Sequence, residues 1–310
     1  MKYKIKIENA AEENGIIDIK RLNVILSGII EIATGSIQIR LNGISFTKGR
    51  LPKYIDDAVS VKFSGIEKGS TIIRLETEQL NRTLTNFQLN AFRQDEIIDM
   101  LGETPMSLFI SSFNEALNPD SEKKMLDKPL LKRMENFKKA FCTEEERILI
   151  SNEKSSGRLV LTEKSFTEIK KIDQDTPESH KIILYGLVEK LEYSKRKVRI
   201  ITKSGGVDAY LGEKVHTDQI KNYWGRNVTI EGIAFYRYGG KIGAVEIEKI
   251  FVPKEEDKYF SGKSSSLTAV QQVSEQINKG KNKSALANLI GKWPGDETDE
   301  EFDELIKSMD

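Results

Sequence analysis

Residues 3–7, Tyr-Lys-Ile-Lys-Ile, alternate apolar and polar side chains, the period of a strand with one face in a core. The period then changes. Ile19, Leu22, Ile25, Leu26, Ile29 and Ile30 recur at helical spacing, which predicts a helix from about Ile17 to Ala33. Gly35 is placed to end it. Beyond it Ile37, Ile39 and Leu41 also alternate, so this stretch fits helix or strand. After the loop TKGRLPK, the run VSVKFSGIEKGSTIIRLETEQL holds two alternating segments around Glu67-Lys68-Gly69, a hairpin signal. Residues 1–85 read as a small α+β unit whose hairpin can pair with the first strand, within a domain spanning 1–100.

Residues 105–142 are helical in pattern and are broken at Asn118-Pro119-Asp120-Ser121. Met125, Leu126, Leu130, Leu131, Met134, Phe137 and Phe141 form an apolar face against many lysines. ERILISN and GRLVLTE read as a further hairpin, so 101–178 is expected to be a helical connector that carries a β-hairpin.

The stretch 179–252 is the most legible. A long strand with a break at Gly186 is followed by the alternating run KVRIITKSG and the short strand VDAYLGE. HTDQIKNYWGR predicts a short helix capped by Thr217 and stopped at Gly225. Two more strands meet at a turn, Gly239-Gly240, and the first of them has a break at Gly232. The order β-β-β-α-β-β resembles the five-stranded Greek-key barrel of the oligonucleotide-binding (OB) fold. A charged, Ser- and Gly-rich linker with a polar helix occupies 253–283, and a short helical tail occupies 284–310. The expected fold class is α+β: N-terminal α+β unit, helical connector, OB-like barrel and helical tail.

Composition narrows the function. The 310 residues include 48 basic and 48 acidic side chains, a formal net charge of +0, so attraction to nucleic acid or an acidic membrane has to come from local patches. Charged residues make up 31% of the chain and hydrophobic ones 38%, above the disordered class. The single cysteine, Cys142, cannot make an internal disulfide or a multi-thiolate metal site. No signal peptide is visible and no uninterrupted apolar run reaches membrane-spanning length, so a cytoplasmic location without membrane contact is expected.

Catalytic strings are not found. The two histidines, His180 and His216, sit in no ligand pattern, and no Walker A or G-x-S-x-G string occurs. Carboxylates are plentiful, but no spacing selects a pair. The expectation is a binding protein, not an enzyme, with no cofactor and no metal. On the barrel, strand-tracking grooves combine basic groups for phosphates with aromatics for bases. Lys195, Arg196 and Lys197 in the first loop, Arg199 and Lys203 on the second strand, Tyr210 on the third, and Arg237, Tyr238 and Lys241 in the last loop are the candidate nucleic-acid residues. The same residues also suit solvated hairpin tips, with Tyr210 in the core.

The tail carries the sharpest pattern. Leu286, Leu289, Ile290 and Trp293 make an apolar stripe, Pro294-Gly295 breaks the chain, and Thr298 to Glu301 has capping-box spacing. Phe302, Leu305, Ile306 and Met309 form a second stripe. Two such short helices need a groove, on this chain or another. The string Gly291-Lys292-Trp293-Pro294-Gly295-Asp296-Glu297-Thr298-Asp299-Glu300-Glu301-Phe302 resembles the C-terminal tail of bacterial antitoxins of the VapB and prevent-host-death kinds. It covers about 25 residues of such a tail, while the compact DNA-binding N-terminal module of those families has no counterpart here. The whole layout is also similar to an uncharacterised bacterial family with the same barrel and tail. The resemblance implies a toxin partner, commonly a PIN-domain ribonuclease. Leu286, Leu289, Ile290, Trp293, Phe302, Leu305 and Ile306 would be groove-filling anchors, and Asp296, Glu297 and Glu301 would pair with its basic groups.

Overall fold

The strand Lys2–Glu8 (β1) turns Tyr3, Ile5 and Ile7 inward, as its alternation predicts. In the computed structural model, which describes residues 1–10, 15–46, 49–67, 71–84, 94–153, 158–193, 196–213 and 215–262, it lies in the middle of a five-stranded sheet. The hairpin of β2 (Val61–Glu67) and β3 (Thr71–Thr77) joins one side of β1, and the hairpin of β4 (Arg147–Asn152) and β5 (Arg158–Leu161) joins the other. All four pairings are antiparallel, and Ile5 stands opposite Ile73 on β3 and Ile150 on β4. The divide expected at residue 100 therefore falls inside one sheet. The first strand needs partners from both sides of it, so residues 1–178 share a layer.

One face of the sheet is covered by α1 (Ile19–Asn42), α5 (Pro105–Leu117), α6 (Lys128–Asn136) and α7 (Glu163–Asp175). Phe109, Phe113, Phe137 and Phe166 meet there in edge-on and tilted contacts with centroids 5.0–6.4 Å apart. Three shorter helices, α2 (Lys53–Ala58), α3 (Leu80–Thr83) and α4 (Gln94–Leu101), bury Ile55, Leu80 and Met100 against the far end of α1.

Asp18 caps α1, accepting from the backbone N–H groups of Lys20 and Arg21. The helix does not end at Gly35. A Cβ at Gly35 would lie 2.5 Å from Arg133 Nη1 and 3.0 Å from Leu130 Cδ1, so this glycine admits α6 to the helix surface. The ambiguous run 36–41 is helical. Ile37, Ile39 and Leu41 are all fully buried, and a helix covered on every side loses its polar stripe and with it the 3.6-residue signature. By length and composition α1 could cross a membrane, against the expectation from its interrupted apolar run; here half of its apolar window is buried, and Ile25, Ile29, Ile32, Ile37 and Leu41 lie in the cores of the molecule.

The second layer is a closed five-stranded barrel, β10-β8-β7-β6-β9. Its strands are β6 (His180–Glu192), β7 (Lys197–Thr202), β8 (Gly205–Leu211), β9 (Asn227–Tyr236) and β10 (Ile242–Phe251). The long β6 pairs with β9 through its first half and with β7 through its second. β8 and β10 run parallel and close the barrel. Leu184, Val188, Ile200, Val228, Ile230 and Val245 fill the interior, and α8 (Thr217–Lys221) brings in Ile220. Thr217 is the first helical residue and not the cap; His216 holds the cap position and makes no side-chain bond there. The chain divides at residue 266 into two units, and the second, 267–310, lies outside the described residues.

A buried ion pair ties α1 to the approach to β4. Arg21 Nη2 stands 2.7 Å from Glu146 Oε2, with side chains 5% and 0% exposed, and Glu146 also accepts from the backbone N–H of Cys142. Removing one partner strands the other charge, so Glu146→Ala is expected to cost about 3–5 kcal/mol in urea unfolding. The double variant Arg21→Met with Glu146→Leu should recover most of that loss. Equal losses for the single and double variants would show that the pair does not hold α1 to the sheet.

Candidate functional site

The last carbonyls of any helix lack partners within it. In α1 the next residue, Gly43, adopts the left-handed conformation at φ 85° and its N–H returns to Ile39 O at 2.9 Å. The barrel serves the rest. Lys197 Nζ donates to Leu41 O at 3.1 Å, the Tyr210 hydroxyl donates to Asn42 O, and Arg237 Nε donates to Gly43 O at 3.5 Å. Two cations thus stand at the negative end of the helix dipole. Lys197 is only 1% exposed, and its ammonium lies 5.2 Å from the centre of the Tyr210 ring, which adds a cation–π contact to the carbonyl bond. The approach is close: a Cβ at Gly243 on β10 would lie 2.4 Å from Gly43 O.

The chain then turns through Ile44, Ser45 and Phe46. Asp127, which caps α6 by accepting from Leu130 N–H at 3.1 Å, fixes this turn. Its carboxylate accepts from Ser45 N–H at 2.7 Å and from the Ser45 hydroxyl at 2.5 Å, while Ser45 O accepts from Arg133 Nη1 at 3.0 Å. Asp127 also pairs with Arg237 in an isolated β-bridge. Burial pushes its carboxyl above the ordinary aspartate value, against the opposing pull of the bonds from Ser45 and Leu130 and of the Arg237 charge.

Between this turn and the outer surface of β8 and β10 lies a cavity of about 310 Å³, lined by Asn42, Ile44, Phe46, Arg196, Tyr210, Leu211, Gly212, Glu213, Phe235 and Glu246. Phe46 and Phe235 meet edge to face with centroids 5.2 Å apart. Arg196 Nη2 donates to Gly212 O at 2.8 Å and Val215 O at 2.9 Å. Glu213 is exposed and Glu246 half-buried.

The barrel residues expected to track a nucleic-acid strand are not assembled as one groove. Lys197, Tyr210 and Arg237 hold the end of α1. The Arg237 guanidinium also donates to Lys124 O at 3.1 Å. Tyr238 packs on the first core, with Lys123 Nζ 5.7 Å above its ring. Arg199 lies between Glu189 at 3.7 Å and Asp208 at 3.5 Å. Arg196 sits at the cavity, and Lys203 and Lys241 are exposed. Lys195 and every predicted tail residue, Leu286 to Ile306, lie outside the described residues. Among the described residues no group of three or more His, Cys, Asp or Glu is placed to hold a metal ion. His180 stacks on Tyr236 at 4.8 Å, with Nε2 3.0 Å from its hydroxyl.

Sequence reading missed Asn42, Ile44, Phe46, Leu211, Glu213, Phe235 and Glu246. Their segments are far apart in the chain. Only the apolar residues just past Gly43, ahead of the loop TKGRLPK, carried a local signal.

Two measurements probe this junction. Lys197→Met removes the ammonium that donates to the Leu41 carbonyl and is expected to cost about 1–3 kcal/mol in urea unfolding. Being buried, the contact should also be little affected by added salt. A neutral substitution would mean that the carbonyl finds water instead. The second measurement concerns Asp127. Its proton is held more tightly in the folded chain, so its stabilising contribution is complete below the unfolded value near 3.9 and is lost as pH rises through the raised folded value. Relative to Asp127→Asn, the native chain should gain stability as pH falls from about 7 to about 4, and a flat difference would contradict the assignment.

No protein-family model matches the chain, and no curated protein or solved structure matches it either, so likeness to another protein assigns it neither family nor activity.

Proposed function

We propose that the chain is an antitoxin-like regulatory binding protein whose segment 284–310 sequesters a protein partner, a PIN-type toxin ribonuclease. The observation that carries this reading is the Gly291–Phe302 string with its flanking apolar stripes. In the body, Lys197, Tyr210 and Arg237 hold the end of α1. The mechanism is steric and electrostatic. Leu286, Leu289, Ile290, Trp293, Phe302, Leu305 and Ile306 fill the partner's groove, while Asp296, Glu297 and Glu301 take the basic groups that would otherwise hold RNA.

The test is co-purification of the chain with the product of the gene beside it, with and without residues 284–310. A stoichiometric small protein that is lost on deletion is the expected result. Trp293→Ala should then weaken the complex by about 2 kcal/mol or more, roughly thirtyfold. A partner retained by the truncated chain would overturn the reading.

The barrel favours a second reading, a single-stranded nucleic-acid-binding module. The strand order, with a helix between the third and fourth strands and a parallel pairing of the third and fifth, supports an OB-type identity. Binding would then use the part of the barrel surface that α1 leaves open. Trp224 is 68% exposed there, with its indole N–H donating to Glu189 O, and Arg199 stands beside the Glu189 carboxylate. Arg199→Ala with Trp224→Ala should abolish such binding, whose affinity should fall steeply with salt. A salt-independent affinity would exclude it.

A further inference from the structure

We propose that the cavity between the end of α1 and the barrel binds a small neutral molecule: an aromatic body of one or two rings that carries an amide-like edge. The proposal stands apart from the tail reading, since no residue of 284–310 takes part in it.

Size sets the first limit. An apolar cavity of about 150 Å³ takes up a single benzene ring. This one, at about 310 Å³, has room for two fused rings and reaches the lower end of the range of ligand sites. Its walls come from the turn after α1, the turn before β7, the end of β8, and the strands β9 and β10. Ile44, Phe46, Leu211 and Phe235 supply the apolar surface. The edge-to-face pair of Phe46 and Phe235 suits an aromatic guest, which can continue the same packing.

Charge sets the second limit. Arg196 and the exposed Glu213 are opposite in sign, and Glu246 already has a partner. Arg196 Nη2 faces the carbonyl oxygens of Gly212 and Val215, and the Tyr210 hydroxyl donates to Asn42 O. A charged guest of either sign would leave water for a lining with no counter-charge to match it. One neutral polar group remains. The carboxamide of the half-buried Asn42 has no hydrogen-bond partner among the described residues. It offers both a donor and an acceptor, and a lactam or amide edge answers both.

The walls are also fixed in advance. Arg196 holds the left-handed backbone conformation at φ 52°, which residues other than glycine seldom adopt. Its N–H donates to Tyr193 O at 3.1 Å, and its carbonyl accepts from Leu211 N–H at 2.9 Å. Together with the two side-chain bonds, these hold it in place. Ser45, between Ile44 and Phe46, is held by Asp127 and Arg133. A preformed cavity spares a ligand the cost of ordering its own site.

The experiment is an NMR titration of the full chain, following the backbone amides of Asn42, Leu211, Gly212 and Phe235. The probes are 2-quinolinone, indole, 2-naphthoate, 2-naphthylmethylamine and N-acetyl-tryptophan amide. Quinolinone should shift these amides with a dissociation constant of about 1 mM or below, ahead of indole, and neither charged naphthalene should shift them at the same concentration. Asn42→Ala keeps the main-chain carbonyl that Tyr210 uses; it should weaken quinolinone about fivefold and leave indole unchanged. Phe235→Ala should weaken both about tenfold. Urea midpoints check that the variants fold. Should Phe235→Ala unfold, Asn42→Ala and the ranking of probes on the native chain still decide. Binding of either charged probe as tight as that of quinolinone, quinolinone binding unchanged in Asn42→Ala, or no shift at saturating quinolinone would each overturn the proposal. So would tighter binding of the tryptophan amide than of indole, which would point to a peptide side chain instead of a small molecule.

Discussion

Everything in the body of this molecule meets at the carboxyl end of α1. At 1.5 Å per residue, its 24 residues span roughly 36 Å, enough to run from the middle of the first sheet to the wall of the barrel. Ile25, Ile29 and Ile32 belong to the core under the sheet, while Leu41, Asn42 and Gly43 give their carbonyls to barrel donors. The dependence is mutual. Without the barrel, the end of the helix has three acceptors that lose their donors. Without the helix, Lys197 is a cation inside protein that has lost the Leu41 carbonyl to which it donates. Each layer supplies what makes the other's polar groups tolerable, and Gly243 sets how close they come.

Much of the fold was legible because its elements bury one face and expose the other. β1, β3, β4 and β5 show that alternation, and the turn at Gly239-Gly240 is marked by residue type. Reading failed where burial is complete or where the partner is distant in sequence. Gly35 looks like a helix stop because the sequence cannot show Arg133 and Leu130 pressed against it. The run Ile37 to Leu41 looks like a strand because every apolar position in it is buried. The supposed connector proved to complete the first sheet, since an alternating strand carries no mark of which neighbour it joins.

The site was less legible for a different reason. Basic and aromatic residues interleaved on a barrel are the chemistry of phosphate and base recognition. They are equally the chemistry of a helix carboxyl end, where the oxygens to be satisfied carry partial negative charge. Lys197, Tyr210 and Arg237 meet carbonyl oxygens of their own chain, and nothing in their residue types or spacing distinguishes that oxygen from a phosphate's. Residue type fixes what a group can bind, while topology decides what is within reach.

The same junction explains why a cavity exists at all. The helix end is fastened to the barrel, so the chain must turn away immediately, and Asp127 pins that turn at Ser45 from the helical side. A turn held from behind cannot settle onto the barrel wall in front of it. Phe46 reaches across to Phe235, and space is left beside them. Glu213 and Glu246 belong to the outer surface of the barrel, where carboxylates are normally solvated; the turn makes them part of a wall. The cavity is thus a property of the two layers together, and neither the sheet nor the barrel alone would present it.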